Sequence, residues 1–112
     1  MAKKAWKRVM IKLSGEALMG EGTHGLDQKT LTRIAKDIAS AAASGSQIAI
    51  VVGGGNFFRG MAGAEKGIDR ARADSIGMLA TIMNGLALEH AIEKAGQPAR
   101  ALSAVQIGRA HV

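Results

Sequence analysis

Gln47-Ile48-Ala49-Ile50-Val51-Val52 runs, without a polar break after Gln47, straight into Gly53-Gly54-Gly55. A short apolar run rich in β-branched residues and bounded by glycine describes a strand. It does not alternate, so it predicts a strand covered on both faces, as in a parallel sheet. The glycines demand a reason, because glycine loses more backbone freedom on folding than any other residue. Two reasons are open. The run is a tight strand-to-helix turn, or it lets the backbone approach a ligand closely and turn through positive φ, presenting bare N–H groups.

A strand with the same ending precedes it. Val9–Leu13 is mostly apolar and closes on Ser14-Gly15. Between the two strands, Leu31, Ile34, Ala35, Ile38 and Ala42 recur at helical spacing. Asp27 is placed as N-cap, Leu26 and Leu31 as a hydrophobic staple, and Gly45 as the stop at C′. Strand, helix and strand in this order predict a right-handed βαβ unit. A long helix is expected from about Arg70–Asp74 to Lys94, ended by Gly96 with Pro98 beyond. Ile76, Leu79, Ala80, Met83, Leu86, Ala87 and Ala91 mark one face. Met78, Ile82 and Leu88 lie off it, so the helix is expected to pack on the sheet and against another subunit. Arg100–Gln106 reads as a third strand.

Charge separates two classes of partner. The net charge is +6, which fits either nucleic acid or a site that receives several phosphates. Aromatic residues are 3% with no tyrosine, so bases have little to stack on, and the phosphate site is favoured over nucleic acid. Absence of cysteine excludes disulfides and thiol chemistry and suits a reducing cytoplasm. The basic start Lys3, Lys4, Lys7 and Arg8 has no apolar segment behind it, so no signal peptide is expected. No run of about 18 apolar residues occurs, so no membrane span is expected either. His24 and His90 lack a metal-spaced partner and read as loop and helix surface. Met78 and Met83 read as core filler.

In open α/β sheets, ligands bind beyond the carboxyl ends of the strands. Both glycine-ended strands point there, and Lys12 and Arg59 flank the turns. A point charge and a planar two-toothed donor suit phosphate. Each has a plainer reading: Lys12 as a solvent-facing strand residue, Arg59 as a surface loop charge, and Asp74 as a helix-terminal acid. Neither common phosphate loop is present. G-x-x-x-x-G-K-[ST] does not occur, and G-x-G-x-x-G fails because Phe58 takes the last position.

Three motifs in order, K-L-S-G-E-A-L (Lys12–Leu18), G-G-G-N-F-F-R-G (Gly53–Gly60) and D-S-I-G-M-L-A-T-I-M-N-G-L-A (Asp74–Ala87), resemble the bacterial uridylate (UMP) kinase family. The resemblance implies the amino-acid-kinase (carbamate-kinase-like) fold: an α/β, three-layer αβα sandwich with a mainly parallel sheet, here truncated. It implies phosphoryl transfer from ATP, with Mg²⁺, to UMP. By motif position it implies ATP contacts at Lys12, Leu13, Ser14, Gly15, Gly55 and Arg59, with Lys12 and Arg59 catalytic. It implies UMP contacts at Gly54 and Asp74, and no protein metal ligand. Gly20, Glu21, Gly22, Thr23, His24 and Gly25 occupy the segment associated with GTP activation in the family, and the resemblance implies GTP and UTP as effectors of the longer protein. A cytoplasmic homohexamer with the long helix at a subunit contact is implied, with no membrane or nucleic-acid partner. Phosphoryl transfer needs positioning and charge neutralisation more than covalent participation, which fits these residue types.

Family members are longer, so residues 1–106 are expected to be the N-terminal, UMP-binding part of one domain, inactive by itself. Ile107-Gly108-Arg109-Ala110-His111-Val112 departs from the family pattern. Its codons can spell the start of a common sequencing adapter, so native sequence is expected to end near Gln106. Rival readings are a kinase of the same fold acting on a small carboxylate or carbamate, a basic nucleic-acid-binding fragment, and a non-catalytic oligomerisation piece built on Ile76–Ala91.

Overall fold

The computed structural model describes residues 7–57 and 67–103. Strands β1 (Arg8–Leu13) and β2 (Gln47–Val52) pair in parallel, from Arg8 opposite Gln47 to Leu13 opposite Val52. Helix α1 (Gln28–Ala43) connects them, as parallel neighbours require a crossover. Helix α2 (Arg70–Lys94) follows. A 3₁₀ turn, Gly15–Met19, leaves β1; the sequence reading did not anticipate it.

α1 begins as its sequence directs. The Asp27 carboxylate accepts the Thr30 amide at 3.0 Å and the Thr30 hydroxyl at 2.6 Å. One amide that the first helical turn would otherwise leave unpaired is thereby satisfied. The same bonds, the hydroxyl first, hold the Asp27 carboxyl below its ordinary pKa. At the other end the Ser44 amide donates to Ser40 and Ala41, and Gly45 follows with φ of 110°.

The core lies on one face of the sheet. Leu31, Ala35 and Ile38 of α1 meet Leu88, Ala91 and Ile92 of α2 and Leu18 of the 3₁₀ turn. Leu13, Ile48, Ile50 and Val52 pack beneath them. Burying a side chain of this size stabilises by roughly 1.5–3 kcal/mol, so these few residues hold the helices to the sheet.

Three expectations are corrected. Both strands alternate between half-buried and exposed positions, so in the described residues β2 is covered on one face only. Met10 and Val51 lie on the open side. The covered stripe of α2 is Ala73, Ala80, Asn84, Leu88, Ala91 and Ile92; of the expected face it includes Ala80 and Ala91, while Ile76, Leu79, Met83 and Leu86 are exposed, and Met78 and Met83, about half exposed, are not core filler. A helix apolar on most sides gives no unique face to periodicity, and small residues, rather than the largest, let the sheet end approach. Residues 100–103 form no strand; the Ala101 amide donates instead to the Glu89 carboxylate at 2.8 Å. By length and composition alone α2 is also long and apolar enough to cross a membrane, a test that a helix of a protein core passes equally. Here its covered side is taken up by α1, the sheet and a buried asparagine.

Candidate functional site

The two glycine turns meet. β1 and β2 end side by side, and the Gly53 amide donates to the Leu13 carbonyl at 3.2 Å, just past the ladder. From there each strand end enters a turn of its own. Ser14 caps the 3₁₀ turn, its hydroxyl accepting the Ala17 amide at 3.3 Å. Gly54 opens a tight turn closed by the Phe57 amide on the Gly54 carbonyl at 3.0 Å.

Contact, not φ, explains most of the glycine run. None of Gly53, Gly54 and Gly55 has positive φ, which corrects the expected left-handed geometry. A Cβ on Gly15 would lie 2.6 Å from the Gly55 nitrogen and 2.9 Å from the Gly53 oxygen. One on Gly54 would lie 2.8 Å from both the Ala80 Cβ and the Thr81 nitrogen. Gly15 therefore lets the two strand ends touch, and Gly54 lets them touch α2. Among the described residues no acceptor is bonded to the Gly54 or Gly55 amide, so donors remain at the junction. Packing is what the described residues display: Gly54 is buried and Gly55 half-buried, each with an amide that no described acceptor takes.

The remaining predicted residues divide around this junction. Leu13 is half-buried in the core layer. Lys12 stands opposite Val51 on the open face of the sheet, so the plain solvent-facing position is the one described. Asp74 lies one helical turn before Gly77, whose carbonyl is among the atoms crowding Gly54. Its carboxylate pairs with Arg70 Nε at 3.2 Å, both side chains well exposed. A pair so exposed is worth little and leaves Asp74 easy to recruit. Arg59 lies outside the described residues, as do Gln106 and residues 107–112.

The loop Gly20–Gly25 is exposed up to His24 and is held at its ends. The Gly22 amide donates to Met19 at 3.0 Å, and the Thr23 hydroxyl meets His24 Nδ1 at 3.2 Å. The Gly25 amide donates to the Asn56 carbonyl at 2.8 Å, so the loop reaches the glycine turn directly.

Three residues here were missed in the sequence. Glu16 puts its carboxylate 2.7 Å from where a Gly55 Cβ would be. Asn56 and Asn84 are buried and bonded to each other. The available signal was a polar residue directly after three glycines, and another inside an apolar helix. Among the described residues no cluster of three His, Asp or Glu side chains is placed to hold a metal.

The amino acid kinase family model matches residues 7–112. A protein named uridylate kinase from Nitrobacter hamburgensis is 57% identical over 104 residues, covering 93% of this chain and 44% of its own. The solved UMP kinase of Bacillus anthracis superposes with a TM-score of 0.73 at 45% identity, over 81% of this chain and 37% of that one. The UMP kinase of Ureaplasma parvum gives 0.71 at 38% identity, over 80% and 39%. The chain thus spans less than half the length of these relatives. Paired parallel strands that end on touching glycine turns, within a sequence the family model matches from residue 7 onward, place this chain in the amino acid kinase family.

Proposed function

We propose that the longer protein to which this segment corresponds transfers the γ-phosphoryl group of ATP to UMP, giving UDP and ADP. One observation carries the reading: Gly15 and Gly53–Gly55 converge at the carboxyl ends of neighbouring parallel strands, where the Gly54 and Gly55 amides lack acceptors among the described residues. The relatives, a uridylate kinase and two UMP kinases by name, suggest the substrate. Two anionic nucleotides must be held head to head, and fixed backbone donors do this without reorganising during the reaction.

In this reading Lys12, Leu13, Ser14, Gly15, Gly55 and Arg59 serve the ATP side, Gly54 and Asp74 the UMP side. Lys12 and Arg59 neutralise charge. Mg²⁺ would enter with ATP; among the described residues there is no ligand cluster for it. Oligomeric assembly through α2, effector binding of GTP or UTP at Gly20–Gly25, a place in pyrimidine nucleotide synthesis and a cytoplasmic setting belong to the same proposal. The 112-residue chain by itself is expected to be inactive.

The test is a full-length chimaera in which this chain replaces the segment it matches in the Nitrobacter hamburgensis relative. ADP release should depend on UMP. Turnover with a small carboxylic or carbamic acid, but not with UMP, would overturn the substrate assignment.

A further inference from the structure

Asn56 and Asn84 are the two buried polar side chains among the described residues, at 2% and 0% exposure. An amide in a core is costly unless its bonds are made. Here they are made. Asn84 Nδ2 donates to the Gly53 carbonyl at 2.7 Å and to Asn56 Oδ1 at 2.7 Å. Asn56 Nδ2 donates to Asn84 Oδ1 at 3.1 Å and to the Gly25 carbonyl at 2.9 Å. The main chain of Asn56 also accepts the Gly25 amide. If the junction needed only packing, two apolar side chains would fill it at least as well.

The amides do something leucine cannot. They bond two backbone carbonyls, Gly53 and Gly25, in segments that belong to no ladder. A trans peptide is planar, with its N–H opposite its C=O. Holding the Gly53 carbonyl toward Asn84 therefore aims the Gly54 N–H the other way. We propose that the Asn56–Asn84 pair is a positioning clamp for the anion-gripping turn: Asn84 sets the orientation of the Gly53–Gly54 peptide, and Asn56 fastens the loop Gly20–Gly25 to that turn. Neither residue touches the substrate. The inference deepens the phosphoryl-transfer reading and rests on it for its kinetic consequence.

The test uses the full-length chimaera with Asn56→Leu/Asn84→Leu, and Leu88→Ala as a control that weakens the same helix without touching the amides. Thermal melts choose a temperature at which all are folded. The clamp predicts that the double variant loses about tenfold or more in kcat/KM, with KM for ATP raised, while the control does not. It also predicts that the Gly25 amide exchanges its hydrogen about tenfold faster in the double variant than in the control. Unchanged KM and unchanged Gly25 protection in a folded double variant would overturn the clamp. If the parent chimaera shows no UMP-dependent turnover, the reaction assignment fails instead, and the exchange comparison judges the clamp by itself. Should the double variant not fold, Asn56→Ser, which keeps one donor in place of two, is read in the same way.

Discussion

The strand-end junction and the open face of the sheet are built from neighbouring residues by opposite rules. At the junction close contacts fix the backbone: Gly15 against Gly55, Gly54 against α2, Asn56 against Asn84. Across the open face Met10, Lys12 and Val51 meet little, and on α2 Leu79 and Met83 are about half exposed. Geometry is over-determined in the first region and left to solvent in the second. A site that must hold anions without rearranging belongs in the first. Solvent-facing charges such as Lys12 belong at the edge of the second.

The sharpest way to break this contrast lies inside the glycine run, with chemical unfolding of the full-length chimaera as the readout. Gly54→Ala and Gly15→Ala should each cost about 1–3 kcal/mol or more, because backbone atoms stand where the new methyl goes. Gly55→Ala should cost less, since the obstacle is the end of the Glu16 side chain. Gly53→Ala meets the Gly15 nitrogen at an ordinary 3.6 Å and should be nearly neutral. Equal losses at all three positions of the run would mean that crowding does not explain it.

The same contrast applies along α2. Leu88→Ala removes a core side chain and should cost about 2–5 kcal/mol. Leu79→Ala, at 56% exposure, should stay within about 0.5 kcal/mol for the folded monomer. Leu79→Glu, compared with the parent by sedimentation, then asks whether the exposed stripe mediates assembly. An unchanged sedimentation coefficient would remove α2 from the subunit contact.

These two tests also mark what the sequence made legible. β2, the Asp27 cap and the ends of α2 were readable because each follows from a local pattern: an apolar run bounded by glycine, an acid before a helical repeat, a glycine followed by proline. The covered face of α2 was not readable. Its side toward the sheet carries Gly77, Ala80 and Asn84, small or polar residues chosen by what approaches them, and only the fold reveals that Gly54 and Asn56 do. The glycine run was recognisable as special; of the two freedoms expected of it, positive φ is not used, and the close approach is to neighbouring backbone and to α2. The alternation of β2 was hidden because Ala49 and Val51 are apolar on the exposed side too.

A smaller effect concerns pH. The Asp27 carboxyl is held below its ordinary pKa by the Thr30 hydroxyl and amide. Its contribution is therefore present above the unfolded-state pKa of about 3.9 and is lost as pH falls through the lower folded value. Asp27→Asn should flatten that part of the acid unfolding curve while leaving a usable cap. A curve unchanged by the substitution would show that other carboxylates govern it. Smallest of all, Lys12→Ala should leave stability unaltered, as an exposed strand position implies, while weakening nucleotide binding if its charge serves the turn.

The central claim is that the glycine ends of β1 and β2 form one anion-gripping hollow. Isotope-labelled full-length chimaera titrated with ATP and then UMP tests it by amide chemical shift. The account predicts that the Gly15, Gly54 and Gly55 amides move together and saturably. Shifts confined to the basic exposed side of α1, around Lys29, Arg33 and Lys36, with those three glycine amides unmoved while the protein turns over, would contradict it.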